Sequence, residues 1–214
     1  MSRLNTIFYL IEPCLVFADI GTDHGLIAKA ALPFSKKVIA SDISEKCLFK
    51  ARNLLRGCEM VEFLVSDGLK NYTQNPCIIS ICGMGGHTII DILTDYFIKN
   101  KTAKLILQPQ NDAFALRQFL YQNNYSISHD ILAKEKNKFY TIIKASCHSG
   151  CSEGLSDSDY LTTLQLLFGK FYKEQNPLLK EKLKQDLTRL QAYKATQKNG
   201  DLIQKTKEAL SWQS

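Results

Sequence analysis

Two carboxylates and a histidine follow a short apolar run near the amino terminus, in the sequence ADIGTDHG at residues 18–25. Glycine-broken turns after a strand often bind phosphate, but here the GxGxxG dinucleotide fingerprint is incomplete, because Asp23 stands where a glycine is expected. A carboxylate at the closest approach of the backbone repels a pyrophosphate and favours a ligand that carries positive charge. The residues that we assign to ligand binding in this turn are Asp19, Gly21, Thr22 and Gly25.

Two more acids end the next two apolar runs. Asp42 stands where a carboxylate can accept both hydroxyls of a ribose, a contact that NAD and S-adenosylmethionine both need. Asp67 can accept a hydrogen bond from an adenine amino group, and Gly68 allows a tight turn beside it. The residues that we predict to bind the ligand at these strand ends are Asp42, Ile43, Ser66, Asp67 and Gly68.

A glycine-rich turn, CGMGGH at residues 82–87, closes the fourth apolar run and begins a helical pattern. Glycines there let the backbone come close to a bound group, and the helix start offers unpaired N–H donors. Acids at the ends of three successive strands suit an adenosine attached to a cation, which is S-adenosylmethionine. We therefore predict S-adenosyl-L-methionine as the cofactor, bound here by Gly83, Gly85 and Gly86.

The elements that must position these turns are short apolar runs separated by helical patterns such as 44–56 and 86–98. Such runs are typical of a parallel sheet covered on both faces. The predicted strands are 15–20, 37–42, 60–67, 77–83, 104–109, 125–133 and 138–146. The last two are separated only by KEKNK, which predicts a hairpin. The expected fold class is α/β, a Rossmann-like, seven-stranded, mostly parallel sheet with an antiparallel edge hairpin.

The composition changes near residue 150, after which a Ser- and Gly-rich stretch leads into helical patterns. Leucines and phenylalanines at 161–171 and leucines at 179–190 recur every three or four residues, on either side of Pro177. This spacing predicts an antiparallel, coiled-coil-like helical hairpin, followed by a helix stop at Asn199-Gly200 and a short last helix capped by Asp201. We expect two domains: 1–150, which binds the cofactor, and 151–214, which is helical.

Bulk properties narrow the class of protein. The 214 residues are 45% apolar and carry a net charge of +6, which favours a polyanionic partner without proving one. The seven cysteines include no CxxC pair, and Cys147-His148-x-x-Cys151 lacks a second pair of ligands. We therefore predict free thiols and no metal. No apolar run reaches the roughly 18 residues of a membrane span, so we expect a cytoplasmic protein without a membrane partner.

These motifs resemble the bacterial tRNA (adenine(22)-N1)-methyltransferase family. The resemblance is carried by ADIGTDHG, by SDG with Leu69, by GMGG (83–86), by LILQP (105–109) with Arg117 following, and by KFYTIIKA (138–145). It implies a Rossmann-like S-adenosylmethionine domain, a helical appendage and methylation of adenine N1 in tRNA. The chain departs from the family after the DH motif, where Gly25 to Ala28 replace Ala-Tyr-Leu-Pro.

The resemblance also suggests residue roles. Adenine N1 carries its own lone pair, so we expect no nucleophilic triad and no catalytic cysteine. The predicted catalytic residues are Asp23, His24 and Met84. Asp23 stabilises the developing cation or accepts a proton from the exocyclic amine, and His24 positions the reactants with the Gly83–Gly86 backbone. Met84 either contacts the base or packs in the core. The predicted tRNA contacts are Gln108, Pro109, Asn111, Arg117, Lys180 and Lys184. Lys182 and Arg189 are further candidates in the tail, where the alternative is a solvated helix face.

Other functions remain open from the sequence. The alternatives are a methyltransferase acting on another nucleic acid or an amine, an NAD-dependent oxidoreductase, and a non-catalytic nucleotide-binding scaffold. The missing glycine at position 23 and the acid after the third strand disfavour the oxidoreductase. No long exposed heptad array demands a dimer, so we predict a monomer.

Overall fold

One sheet organises the residues that the computed structural model describes, which are 1–97, 103–147, 162–192 and 197–213. Within them, the sheet has seven strands in the order β3-β2-β1-β4-β5-β7-β6. The strands are β1 (Cys14–Ile20), β2 (Ser35–Asp42), β3 (Val61–Val65), β4 (Ile78–Met84), β5 (Lys104–Pro109), β6 (Tyr125–Glu135) and β7 (Lys138–Cys147). Strands β1 to β5 are parallel, whereas β7 is antiparallel to both β5 and β6. The predicted fold class is confirmed.

Helices cover both faces of this sheet. They are α1 (Arg3–Tyr9), α2 (Leu26–Ala31), α3 (Glu45–Leu54), α4 (Gly86–Phe97), α5 (Ala113–Gln122), α6 (Thr163–Phe168), α7 (Pro177–Ala192) and α8 (Gln197–Ser211). On one face Ile7 of α1 and Ala28 of α2 join the core around Phe17. On the other face Ile89 of α4 and Leu116 of α5 join a second core. Burial on both faces explains why the central strands are nearly continuous apolar runs.

Strand β1 lies at the centre, between β2 and β4, so the chain order reverses on either side of it. In an open parallel sheet, ligands bind at such a switch point, outside the carboxyl ends of the strands. The turns at 18–25 and 82–87 both leave the sheet there. The fold therefore brings the two motifs to one edge of the sheet, as the sequence predicts.

The carboxyl-terminal helices differ from the prediction. Helix α6 ends at Phe168, because Gly169 takes φ +107° and breaks the pattern that the apolar spacing continues to Phe171. Helices α7 and α8 form the helical pair, so the predicted pairing of 161–171 with 179–190 is wrong. The predicted stop at Asn199-Gly200 is also wrong, since both residues lie in α8. A Cβ at Gly200 would meet nothing within 4 Å, so alanine would fit there and glycine costs the helix about 1 kcal/mol relative to it.

The core of the tail contains some of the predicted apolar residues together with two that the sequence did not mark, Tyr172 and Ala209. Leu179 and Leu183 are buried with Tyr172 and Ala209, and Leu164 packs against them. The predicted boundary between residues 150 and 151 lies outside the described residues, as do His148 and Cys151. The division into two domains therefore stays a prediction.

Candidate active site

The turn after β1, which we call the cofactor loop (Gly21–Gly25), is tied to the end of the neighbouring strand. The backbone N–H groups of Gly21 and Thr22 both donate to the Ser41 carbonyl at 2.9 Å. The Gly25 N–H closes the loop on the Thr22 carbonyl at 2.8 Å. These bonds fix the loop over the carboxyl end of β2.

Left-handed backbone conformations explain the residue types in this loop. Gly21 has φ +69° and Gly25 has φ +75°, conformations that side chains rarely adopt. A Cβ at Gly21 would stand 2.2 Å from the Met84 methyl group, and one at Gly25 would stand 3.0 Å from the Ala51 Cα. Asp23 has φ +41°, a strain that sites of function often store.

Asp19 supports the cofactor loop from below. Its side chain is buried, and its Oδ2 accepts a hydrogen bond from the Thr22 hydroxyl at 2.7 Å. Burial raises the pKa of Asp19 to about 6, although hydrogen bonds from Thr22, the Ala28 backbone and Ser80 oppose that rise. The structure thus places this carboxylate under the loop, where it shapes the turn.

Asp19 should make the folding stability depend on pH. In the folded state the pKa of Asp19 is about 6, against an ordinary value of 3.8 for an aspartate carboxyl. The contribution of Asp19 to the free energy of unfolding is therefore fully present below about pH 4 and is lost as the pH rises through 6. Between about pH 4.5 and about pH 7 we expect Asp19 to remove about 2 kcal/mol. Urea unfolding should show this decrease in the wild type and a flatter curve for Asp19→Asn.

The matched control for this experiment is Asp91→Asn, which changes an exposed carboxyl on α4. It should keep the wild-type dependence on pH. Equal slopes for the wild type and Asp19→Asn would show that Asp19 is already ionised throughout this range.

Asp23 presents a charged carboxylate at the top of the loop. Its Oδ2 lies 2.6 Å from His24 Nδ1 and its Oδ1 lies 3.2 Å from Lys50 Nζ. Slight burial raises the pKa of Asp23, but the hydrogen bonds from Lys50 and His24 outweigh it and hold the pKa below its ordinary value. The carboxylate is more than half exposed, so it is available to a ligand.

Asp42 connects the cofactor loop with the end of β2. Its Oδ2 accepts from the Asp23 backbone N–H at 3.3 Å, and its Oδ1 accepts from the Ile43 N–H at 2.8 Å. Each carboxylate oxygen keeps a further lone pair, which can accept a hydroxyl. The Ile43 side chain beside it is 68% exposed, an apolar surface suited to a flat ring.

Of the residues predicted to bind the ligand after β3, Ser66 is buried and Asp67 is exposed. Ser66 is buried, and its hydroxyl accepts from the Asn71 N–H at 3.2 Å, so it holds the turn. Asp67 is exposed and pairs with Lys70 at 2.6 Å. Gly68 has φ +59°, and a Cβ there would stand 3.0 Å from Ile92. Asp67 alone therefore offers its side chain to a ligand at this strand end.

The glycine turn after β4 is held by the segment that follows β5. The Gly86 N–H donates to the Asn111 side-chain oxygen at 3.0 Å, and Gln110 Nε2 donates to the Gly83 carbonyl at 2.7 Å. A Cβ at Gly86 would stand 2.7 Å from the Asp112 carbonyl oxygen. Asn111 therefore caps α4, which differs from its predicted contact with tRNA. Met84 packs against the core and over Gly21.

A cavity of about 270 Å³ lies between the cofactor loop and the turn after β4. We call it the loop cavity. Its lining includes Gly21, Thr22, Asp23 and His24 from the loop, Cys82 and Gly83 from β4, and Arg3 and Gln110. Burial raises the pKa of the Cys82 thiol to about 12, so this thiol stays neutral and is not an activated nucleophile.

The predicted tRNA contact at Arg117 is wrong. Its side chain is 3% exposed, and its Nε and Nη2 bind the two Asp130 oxygens at 2.8 and 3.0 Å. Its Nη1 donates to the Leu166 carbonyl at 2.8 Å. Every face of the guanidinium is thus engaged inside the protein, where it joins α5 to β6 and to α6.

The remaining predicted tRNA contacts differ in exposure. Gln108 and Pro109 are buried, with Gln108 Nε2 donating to the Pro109 carbonyl at 2.9 Å, so neither side chain reaches the surface. Lys184 is exposed and Lys180 is partly exposed on α7. Those two lysines stay predictions.

Sequence reasoning missed Arg3, Lys50 and Gln110. Lys50 and Gln110 contact the turns that were predicted, but their own types and spacing gave no signal. Arg3 Nη1 donates to Gln108 Oε1 at 3.1 Å across 105 residues of sequence. Only the fold brings α1 to the mouth of the loop cavity.

Over the described ranges, no group of three or more His, Cys, Asp and Glu residues is arranged to hold a metal ion. No helix in the described part of the chain has the length and apolar character needed to cross a membrane.

Comparison with known proteins defines the class. Residues 1–143 match the family described as "Methyltransferase domain". A crystal structure of a Streptococcus pneumoniae protein in complex with S-adenosyl-L-methionine shares the fold with a TM-score of 0.86. The sequences are 26% identical, and the match covers 98% of this chain and 100% of that one. The fold and the site are those of an S-adenosylmethionine-dependent methyltransferase.

Two curated relatives identify the family more closely. A Mycoplasma pneumoniae protein named "Putative tRNA methyltransferase" is 30% identical over 174 residues, which is 78% of each chain. The tRNA (adenine(22)-N(1))-methyltransferase of Bacillus subtilis is 28% identical over 200 residues, covering 89% of this chain and 82% of that one. The chain belongs to the bacterial tRNA (adenine(22)-N1)-methyltransferase family, as its motifs predict.

Proposed function

We propose that this protein transfers a methyl group from S-adenosyl-L-methionine to N1 of an adenine in tRNA, at position 22. The observation that supports it best is the extent of the similarity to the Bacillus subtilis enzyme. That similarity covers 89% of this chain, more than the methyltransferase domain alone. The match to the methyltransferase family decides against the NAD-dependent alternative.

The site fits the proposed cofactor. The accessible acceptors at the sheet edge are the carboxylates of Asp23, Asp42 and Asp67, which suit a cationic nucleoside and oppose a pyrophosphate. Asp42 would hold the ribose, Asp67 the adenine amino group, and Ile43 would pack on the ring. S-adenosylmethionine supplies an electrophilic methyl group on a positively charged sulfur.

The protein then has to orient the acceptor base. Adenine N1 needs no deprotonation before it attacks, so positioning dominates, and it can contribute about 7–11 kcal/mol in favourable cases. Positive charge appears on the purine as the bond forms. Asp23 is charged, lines the loop cavity and is held by His24 and Lys50, so it stabilises that charge or accepts a proton from the exocyclic amine.

The proposal includes the setting of the reaction. The macromolecular partner is tRNA. The protein acts in the cytoplasm as a monomer and needs no metal ion. The net charge of +6 supports a polyanionic substrate. The described cysteines are all unpaired thiols, which supports a reducing compartment.

Labelled methyl transfer tests the function. The protein is incubated with methyl-labelled S-adenosylmethionine and unmodified tRNA, and the modified nucleoside is mapped. We expect N1-methyladenosine at position 22 and no product when that adenine is replaced by guanine. A different modified atom, or no transfer to any tRNA, would contradict the proposal. Calorimetry should show binding of S-adenosylmethionine and none of NAD.

A further inference from the structure

A second, larger cavity adjoins the loop cavity. It measures about 630 Å³ and lies between the β6–β7 hairpin and helix α7, and we call it the basic cavity. The charged side chains in its lining are Arg3, Glu135, Lys138, Lys182, Asp186 and Arg189. Arg3 and Gln110 line both cavities, so they stand at the neck between them.

The charge of the basic cavity favours an anion. Lys182 pairs with Asp186 on α7, which neutralises both. No ion pair joins Lys138 or Arg189 to any residue in the described ranges, and both side chains are exposed. Unpaired cations beside a groove are what a phosphate backbone attracts.

Helix geometry gathers these side chains on one face of α7. Lys182, Asp186 and Arg189 are spaced by four and three residues, which places them one above another on the helix surface. Lys180 and Lys184 are not in the lining. The face of α7 toward the hairpin is therefore defined by Lys182 and Arg189.

The neck between the cavities carries a positioned guanidinium. The Arg3 Cζ lies 5.5 Å from the centroid of the Tyr140 ring, and Gln108 fixes its Nη1. Arg3 Nε is buried without a hydrogen-bond partner among the described residues. The guanidinium lines both cavities, and no carboxylate in the described residues forms an ion pair with it, so its charge is available to a phosphate of an RNA strand.

We propose that the basic cavity binds the RNA strand next to the target adenine, with Arg3 positioning that strand at the neck. This inference rests on the proposed function. The target adenine N1 edge has to enter the loop cavity, so its flanking nucleotide must pass the residues that line both cavities. Arg189 and Lys138 would contact phosphates, and the exposed Asn137 and the half-buried Phe139 would face the bases.

Salt-dependent binding of unmodified tRNA tests this assignment. Lys138→Gln and Arg189→Gln should each weaken binding about three- to tenfold near 0.1 M salt. Each should also make the slope of log affinity against log salt shallower by about 0.7 to 0.9. The matched control is Lys36→Gln, which removes an exposed cation near the opposite, amino end of β2 and should keep the wild-type slope.

Arg3→Gln should raise the KM for tRNA at least tenfold, and calorimetry should give an unchanged affinity for S-adenosylmethionine. Slopes for Lys138→Gln and Arg189→Gln equal to that of Lys36→Gln would overturn the proposal, even if the wild type methylates tRNA. A wild type that binds tRNA without methylating it would contradict the proposed function instead, and the slopes would still decide whether the basic cavity holds RNA.

Discussion

Replacing Arg117 by methionine is expected to lower the free energy of unfolding by about 3–5 kcal/mol. The side chains of Arg117 and Asp130 are 3% and 2% exposed, and the guanidinium binds both oxygens of the carboxylate. Methionine fills much of the volume but leaves Asp130 as an uncompensated buried charge. Urea unfolding of the full chain at neutral pH measures the loss.

Two further variants separate the charge effect from a packing effect. Arg117→Met combined with Asp130→Leu removes both charges and should recover part of the lost stability, since apolar replacements of buried pairs are often neutral. Arg56→Met changes an exposed arginine and should alter stability by less than about 0.5 kcal/mol. A loss below about 1 kcal/mol for Arg117→Met would mean that Asp130 finds another partner or water.

The same ion pair joins the segment around α6 to residues of α5 and β6. Asp130 Oδ2 also accepts the Lys170 backbone N–H at 2.8 Å, and Arg117 binds the Leu166 carbonyl. One buried ion pair thus fixes the segment around α6 against β6. The sequence suggested an RNA contact for Arg117, because this arginine follows a motif shared with the family. That prediction failed because a charge is buried only when it has a partner, and the apolar periodicity does not show where Asp130 lies.

The sheet was predictable for a physical reason. Strands buried on both faces must be apolar along their length, so β5 begins and ends as predicted, at Lys104 and Pro109. The hairpin between β6 and β7 was marked by a polar run, in which Lys136 takes φ +54°. Local patterns of this kind determine where strands lie in the chain.

The carboxyl-terminal helices were less predictable, because which helices pair depends on tertiary contacts. Apolar spacing marked Leu179 and Leu183, which are buried. It missed the buried Tyr172 and included the exposed Phe171. It also did not show that α7 would pair with α8. A glycine near a helix start, such as Gly200, has the same sequence signature as a stop. Whether such a glycine ends a helix or lies within one depends on the tertiary contacts of the residues before it, which the local sequence does not show.

At the site, the sequence identified the carboxylates but not which of them would be buried and which would be exposed to a ligand. Asp19 and Asp23 belong to one motif, yet one is buried beneath the loop with a pKa raised to about 6 while the other is exposed and charged. Burial decides between these states. The hydrogen bonds that oppose the effect of burial on Asp19 come partly from Ser80 and Ala28, which belong to other elements. The motif fixes which residue types are present, and the fold assigns the role of each.

Asp23→Asn is expected to lower kcat about 100-fold with little change in the affinity for S-adenosylmethionine. Removing one preorganised electrostatic group commonly costs 100- to 1,000-fold, and the lower end applies because Asp23 is more than half exposed. Asparagine tolerates the left-handed backbone of Asp23, so the loop should keep its shape. Single-turnover methylation of tRNA measures the rate, and calorimetry measures cofactor binding.

Lys50→Met is the matched comparison, because it removes a partner of Asp23 without removing the carboxylate. If Asp23 stabilises charge on the purine, Lys50→Met should change kcat much less than Asp23→Asn, since His24 still holds the carboxylate. If Asp23 only shapes the loop, Asp23→Asn should turn over at the wild-type rate, because the Asp23 N–H still reaches Asp42. Unchanged turnover in Asp23→Asn with intact cofactor binding would therefore leave positioning alone as the source of catalysis.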